Sequence, residues 1–365
     1  MRNLFMTSYL PTSVYQNEIT DSSAWESEDL CPSQSWNVSL TEEQVDDLLF
    51  GLEQIKHLQI AEINSTNFPI PKCQHLIKEI LDELKFGRGF RLMHGFPVKG
   101  ISNDDIARMY WGFCTHLGNG VTQGGTGTSS YGGLINHITE GKLKPNEGSR
   151  KGGLPSAVKF HNDPADTVML LCVRQAIDSP KSKFVSTSTI HNILNERVPE
   201  KMYRLYVGFP QHHQDLQYET ESPTTVYPVP IFSQANNLVS SQYNRGRINL
   251  AADMSGGMSH EDKNLLDLVD EIAEENGFSF EFQPGDIQFA NNYVIWHGRE
   301  GHTPSKGEHD TRLLMRIWTY VDNFRTLADD EIIRYSCLKY GSRGRYAEDV
   351  LKDTGIQTHP RGTNV

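Results

Sequence analysis

The sequence predicts a mixed fold of the α+β kind, an antiparallel β core with helices packed outside it, and three observations carry that reading. Seven short apolar runs, 167–173, 183–188, 226–233, 238–243, 279–283, 286–296 and 312–320, follow one another between turn residues, the rhythm of an antiparallel sheet. Helical periodicity is concentrated ahead of them, in three amphipathic segments before residue 118. One more strong helix, Ser259 to Glu275 with Leu265, Leu266, Leu268, Val269 and Ile272, interrupts the strands.

Residues 1–35 are polar and without a sustained period, and read as an irregular arm lying on the surface. Thr41-Glu42-Glu43-Gln44 is a capping box ahead of Leu48, Leu49, Leu52 and Ile55. A second helix carries Leu76, Ile77, Ile80, Leu81 and Leu84, and the turn at Phe86–Phe90 leads into a short strand near Arg91 to His94. The third helix starts near Ser102, with Asp104 and Asp105 in its first turn where the helix dipole favours acids. From Gly118 to Gly153 the composition shifts to Gly, Thr and Ser; with no period to hold a helix, 118–153 reads as an active-site loop or lid.

At 365 residues the chain is read as a single domain, 1–365. Lys+Arg 34 against Asp+Glu 46 gives a net charge of −12, which repels phosphate backbones and anionic lipid and so argues against nucleic acid or membrane partners. The five cysteines are scattered, with no Cys-x-x-Cys pair, so neither a disulfide framework nor a thiolate zinc site is indicated. No segment has a signal-peptide core or membrane-spanning length. A soluble cytoplasmic protein acting on a small molecule is the expectation, with self-association left open.

His-x-Asp occurs three times, at His161/Asp163, His213/Asp215 and His260/Asp262. Asp262 is explained as a first-turn acid of the helix beginning at Ser259. His213 lies in a polar stretch with no apolar strand to hold ligands and reads as surface. His161 differs because Thr167–Val173, a buried-type strand, follows directly and anchors the loop. Residues 161 and 163 share a side parity, so both can face one metal ion.

Far along the chain, Gln283-Pro-Gly-Asp feeds a strand ending at His297, and 312–320 places Arg312, Leu314, Arg316 and Trp318 on one face. Two imidazoles and a carboxylate on one face of an octahedral Fe(II) leave three positions open for a bidentate 2-oxo acid and O₂. Arginines on a buried face call for anions, and guanidinium matches a carboxylate through two parallel hydrogen bonds. The plainer alternative for both arginines is an ion pair with the protein's own acids.

These segments resemble the taurine dioxygenase-like, or clavaminate synthase-like, Fe(II)/2-oxoglutarate oxygenases. The likeness runs through Gly87–Phe90, Tyr110–Gly112, His116–Gly118, Phe160–Asp163, Ser188–Asn192, Gly285–Gln288, His297 and Arg312–Arg316, about two thirds of the chain. The resemblance implies a double-stranded β-helix, or jelly roll, with iron on His161, Asp163 and His297. It further implies that Arg312 holds the distal carboxylate of 2-oxoglutarate, that Arg316 lies near the cosubstrate or a substrate anion, and that Ser182 supplies a hydroxyl to 2-oxoglutarate. Where members of the family carry Gly-Gly ahead of that hydroxyl, this chain has Ser179-Pro180.

The implied activity is oxidation, by default hydroxylation, of a small polar substrate such as an amino acid or natural-product intermediate in secondary metabolism, with O₂ consumed and succinate and CO₂ released. Tyr131, Asn136 and His137 of the 118–153 segment, and Tyr243 and Arg245, are the candidate substrate contacts. The competing classes are a non-catalytic jelly-roll binding protein and a metallohydrolase with zinc on the same three ligands; zinc hydrolysis needs no paired arginines.

Overall fold

The computed structural model describes residues 13–123, 129–139, 156–176, 179–213, 223–225, 227–301, 312–328 and 346–352. Its strands are β1 (Asn37–Ser39), β2 (Phe90–His94), β3 (Asn119–Val121), β4 (Ser129–Ser130), β5 (Ile135–Thr139), β6 (Val158–His161), β7 (Thr167–Arg174), β8 (Ser182–Ser186), β9 (Phe232–Ala235), β10 (Leu238–Ser241), β11 (Phe278–Phe280), β12 (Ile287–Asn291), β13 (Ile295–Arg299) and β14 (Leu313–Tyr320). Its helices are α1 (Ser27–Ser33), α2 (Glu42–Ile55), α3 (Gln74–Phe86), α4 (Asn103–Thr115), α5 (Thr187–Arg197), α6 (Met202–Val207), α7 (Arg245–Met254), α8 (His260–Glu275) and α9 (Ala347–Lys352).

The strands form a large sheet in the order β1-β2-β12-β7-β14-β5-β4, with β3 also on β14, a small sheet in the order β11-β8-β13-β6, and the hairpin β9-β10. Among the described residues, apart from the parallel pair β1-β2, every ladder is antiparallel. From β6 to β8 and again from β11 to β14 the chain alternates between the small and the large sheet.

Each strand of the small sheet is two-faced. Phe184 and Ile295 belong to the cluster shared with the large sheet and helices α2–α4. Phe160, Val185 and Trp296, one residue out of step, pack with α5, α6 and α8. His161 and His297 therefore point between the sheets, by the two-residue period.

The capping box at Thr41 forms as expected, with Gln44 N donating to Thr41 Oγ1 and Thr41 N to Gln44 Oε1. Ser102 and Ser259 cap α4 and α8 with their hydroxyls, which accept from Asp105 N and Asp262 N. The turn before β12 needs its glycine: Gly285 has φ +91, and a Cβ there would lie 2.6 Å from Phe96 O.

Four expectations are corrected. Residues 13–35 of the supposed irregular arm include α1 and bury Ile19, Trp25 and Leu30. Their backbone is satisfied by α5 and β8: Asn192 brackets Ile19, Ser186 Oγ donates to Ser23 O, and Thr189 Oγ1 donates to Trp25 O. The 118–153 segment is no structureless loop where it is described, since β3, β4 and β5 lie on the edge of the large sheet; 124–128 and 140–153 lie outside the described residues. The 183–188 run leaves its strand at Ser186, whose hydroxyl caps α5 by accepting from Thr189 N. The 286–296 run is two strands in different sheets, split where Tyr293 N donates back to Asn291 Oδ1.

Candidate active site

β6 and β13 place His161 and His297 directly opposite each other in antiparallel register, so both imidazoles leave the same face. Their ring centroids are 4.5 Å apart. Asp163 follows β6 by two residues, and His297 Nε2 lies 3.6 Å from Asp163 Oδ2. One donor atom from each of the three lies within 4.8 Å of the others.

The loop carrying Asp163 is clamped by two asparagines. Asn162 Nδ2 donates to Ser241 O and Asn292 O, and Asn162 Oδ1 accepts from Tyr243 N. Asn292 Oδ1 accepts from Asp163 N and its amide donates to Ala165 O. Asp166 closes the loop by accepting from the Tyr293 hydroxyl and Val321 N. Such a braced loop holds a ligand at fixed range without strand hydrogen bonds of its own.

The protonation states suit a divalent cation. Burial opposes the charge on Asp163, but Arg316 and the two imidazoles outweigh it and hold the carboxyl well below the usual carboxylate range. Loss of solvent, with His297 beside it, pushes His161 down to about 4. His161 Nδ1 donates to Lys159 O, 2.9 Å away, which leaves Nε2 as the ligand atom. One ionised carboxylate and a neutral imidazole with its outer nitrogen already committed are what Fe(II) ligation requires.

β14 faces this group from the large sheet. Trp318 Nε1 donates to Asp163 Oδ2 at 2.8 Å, and Arg316 Nη1 lies 3.1 Å from the same oxygen and 3.4 Å from Oδ1. The Arg316 guanidinium stacks over Trp318, 4.7 Å from the ring centroid, and its Nε donates to Gln123 Oε1. Arg316 thus has the protein's own acid as partner, the plainer of the two sequence readings. Arg312, just ahead of β14 and buried, donates through Nε to Gln175 Oε1. An extra residue of β7, Val173, sits between the two arginines' levels, where Leu313 pairs with Arg174 and Leu314 with Cys172. Ser182 opens β8 opposite Arg299, on the face that carries His297 and two residues beyond it.

The candidate substrate residues divide by parity. Asn136 pairs with Arg316 across β5 and β14 and shares its face, whereas His137 pairs with Met315 and takes the opposite face. Tyr131 stands beside His137, ring centroids 6.0 Å apart, and its hydroxyl donates to Asp104 on α4. Tyr131 and His137 thus sit on the α4 side of the sheet, away from the triad. Tyr243 is fully buried, stacked on Trp296, with its hydroxyl on Asp270. Arg245 binds Asn249, Asp267 and Asp270. Both are committed to α7 and α8, and it is the Tyr243 backbone that reaches the metal loop, through Asn162.

The family described as taurine catabolism dioxygenase TauD, TfdA family, matches residues 54–318, more than half of the chain and a span that includes the triad and both arginines. The chain belongs to this family. It is an Fe(II)- and 2-oxoglutarate-dependent oxygenase. Among relatives, FR-33289 synthase of Streptomyces rubellomurinus is 26% identical over 328 residues, covering 86% of this chain and 93% of the relative. The taurine hydroxylase-like protein SAT17 of Stachybotrys chartarum is 25% identical over 321 residues, covering 82% and 79%. Among solved structures, asparagine oxygenase with Fe(II), 2S,3S-3-hydroxyasparagine and succinate superposes at TM-score 0.60, 14% identity, over 78% of this chain and 93% of that one. The non-heme iron oxygenase OrfP with Fe and α-ketoglutaric acid does so at TM-score 0.56 and 14% identity, over 78% and 94%. These two likenesses establish the fold, a TauD-type arrangement of helices and sheets.

Several residues packed around the triad left no motif in the sequence. Gln123 and Gln175 each fix one arginine through Nε, and Asn162 and Asn292 brace the metal loop. Arg299, a further buried arginine facing the triad side of β13, stands opposite Ser182 and donates to Glu300 O. A signal for Arg299 was present, since it stands two residues after His297 on the same strand. Among the described residues no helix is long and apolar enough to cross a membrane.

Proposed function

We propose that this oxygenase oxidises, by default hydroxylates, a small polar substrate bearing a carboxylate or amino group, an amino acid or natural-product intermediate, with His161, Asp163 and His297 holding the iron. The observation that carries the metal assignment is the convergence of three donor atoms within 4.8 Å from two strands and a braced loop. When bound, the iron couples the decarboxylation of 2-oxoglutarate to succinate and CO₂ with oxidation of the substrate. Arg312, oriented by Gln175, supplies the cation for the distal carboxylate of 2-oxoglutarate, with Ser182 as a hydroxyl partner. Arg316 and Trp318 keep Asp163 ionised and fix its rotamer, so the ligand carboxylate needs no reorganisation when iron arrives. Asn136, opposite Arg316, is the substrate-facing candidate of the 118–153 segment.

The alternation of the chain between the two sheets supports reading the core as a double-stranded β-helix within one oxygenase domain. Relatives named a synthase and a taurine hydroxylase-like protein, and structural neighbours holding hydroxyasparagine or arginine, support a small amino-acid-like or related metabolite as substrate. The test is anaerobic titration of the apo-protein with Fe(II) and 2-oxoglutarate, read by the visible charge-transfer band of the chelate. A band in wild type that needs much more 2-oxoglutarate in Arg312→Ala supports the assignment. Iron binding without a band would return the site to hydrolase chemistry.

A further inference from the structure

The hairpin β9-β10 belongs to neither of the two larger sheets, yet its last residue is bonded to the segments that carry the metal donors. Ser241 ends β10 and is fully buried. Its N–H donates to Tyr293 O, at the corner between β12 and β13. Its carbonyl accepts at 2.7 Å from Nδ2 of Asn162, the residue that separates His161 from Asp163. Its hydroxyl accepts at 2.9 Å from Nε1 of Trp296, the chain neighbour of His297, and donates over the same distance to Ile231 O. On the other side of β10, Ser240 Oγ accepts from Arg325 Nε, and Arg325 Nη2 donates to Val239 O. Arg325 lies beyond β14, so the hairpin is itself anchored from the end of a large-sheet strand.

The two imidazoles are not held alike. His161 commits its outer nitrogen to Lys159 O, whereas His297 Nδ1 is buried with no hydrogen-bond partner among the described residues. The His297 ring therefore takes its place from the backbone of β13 rather than from an outer-nitrogen bond of its own. Trp296, one residue back, points to the opposite side of β13 and stacks on Tyr243 and Phe232, with ring centroids 4.6 and 6.3 Å away. Stacked rings tolerate sliding, so the directional bond from the indole to Ser241 decides where Trp296 comes to rest. We infer that Ser241 is a positioning residue of the iron centre: through Trp296 it places the stretch of β13 that bears His297, and through Asn162 it places the loop that bears Asp163. The inference rests on the metal assignment proposed above and adds to it a residue that acts only through others. Alanine at 241 keeps both backbone bonds and deletes the hydroxyl, which leaves a buried indole N–H without its acceptor. The ring then shifts to recover a partner and carries His297 with it.

The test is anaerobic competition of the metal-free, full-length protein against a calibrated Fe(II) chelator, well below Tm, with the position of the Fe(II)–2-oxoglutarate charge-transfer band as a second reading. Ser241→Ala is expected to lose roughly tenfold in Fe(II) affinity, the lower end of the range for partners that orient metal ligands, and to shift the band. Trp296→Phe removes the donor from the other end of the same bond and loses as much; the double variant loses no more than either single one. Ser240→Ala, on the opposite side of the hairpin, keeps the wild-type affinity. A serine with a merely structural role would lower Tm while leaving the affinity of the folded protein and the band where they were. That result in Ser241→Ala and Trp296→Phe overturns the inference, as do an equal loss in Ser240→Ala or additive losses in the double variant. If Ser241→Ala does not fold, Trp296→Phe against Ser240→Ala decides in the same way. Wild-type affinity in Asp163→Ala sinks the metal assignment itself, and the positioning role falls with it.

Discussion

The indole of Trp318 donates to Asp163 Oδ2 over 2.8 Å from the opposite sheet, so one oxygen of the candidate iron ligand is oriented by a strand that supplies no ligand itself. Trp318→Phe keeps the ring and removes the donor. Iron affinity is expected to fall about 10- to 100-fold, the usual cost of losing a partner that orients a metal ligand, with little change in Tm. Competition titration against a calibrated chelator measures it. Unaltered affinity would mean that Arg316 alone suffices to set the rotamer.

Arg316→Met leaves the buried Asp163 carboxylate without its main counter-charge. The cost is about 3–5 kcal/mol, as for breaking a buried ion pair from one side, read as a lower denaturant midpoint for the metal-free protein. The carboxyl pKa rises from its depressed value toward the ordinary range or above. Iron binding then weakens as pH falls through a window where wild type is flat. Equal midpoints for wild type and variant would contradict the pairing.

The triad and both arginines were legible in the sequence because charged and metal-binding side chains at fixed offsets are rare enough to stand out. Their supports were not. Gln123, Gln175, Asn162 and Asn292 are neutral amides whose roles depend on which strand lies opposite, and no spacing encodes that. Asn136 and His137 looked equivalent until the pairing of β5 with β14 put them on opposite faces. Ser186 to Ile190 carries the β-branched residues of a strand, yet the Ser186 hydroxyl and the packing of α5 on α8 decide for helix. His213 reads as surface in the sequence yet is buried, because polar composition says nothing of the backbone bond from His212 N to Arg247 O that fastens its segment to α7.

Arg312→Ala should raise the 2-oxoglutarate concentration that half-saturates the charge-transfer band by roughly 30-fold or more, the loss of a charged hydrogen-bond pair worth about 2–3 kcal/mol. Gln175→Leu, which removes only the group orienting Arg312, should shift it by less. A larger shift in Gln175→Leu than in Arg312→Ala would place the anion elsewhere.

His191 is fully buried against Tyr206, and loss of solvent pushes its ring down to about 4. In the unfolded chain a histidine titrates near 6.5. Between those values the unfolded state holds a proton that the folded state does not, so stability falls as pH drops from about 6.5 to 4 and is unaffected above that window. The loss is on the order of 2–3 kcal/mol by pH 4. His191→Gln flattens the slope in urea unfolding across this range, and an unchanged slope would assign the acid sensitivity to other groups.

Gly208 has φ +80 and passes so close to Val229 that an added Cβ would lie 2.0 Å from its carbonyl oxygen. Gly208→Ala is expected to cost about 1–3 kcal/mol from backbone strain alone, with the bridge between Phe209 and Val229 displaced. Thermal unfolding reads the cost, and an unchanged Tm would contradict the close approach.

The metal donors come from the small sheet and its loop, while the groups that set the charge and rotamer of Asp163 come from the large one. The centre is therefore a seam between layers, complete only when the layers have met. Iron added during refolding should therefore bind more tightly once the layers have docked, so that its affinity reports how far the two sheets have come together.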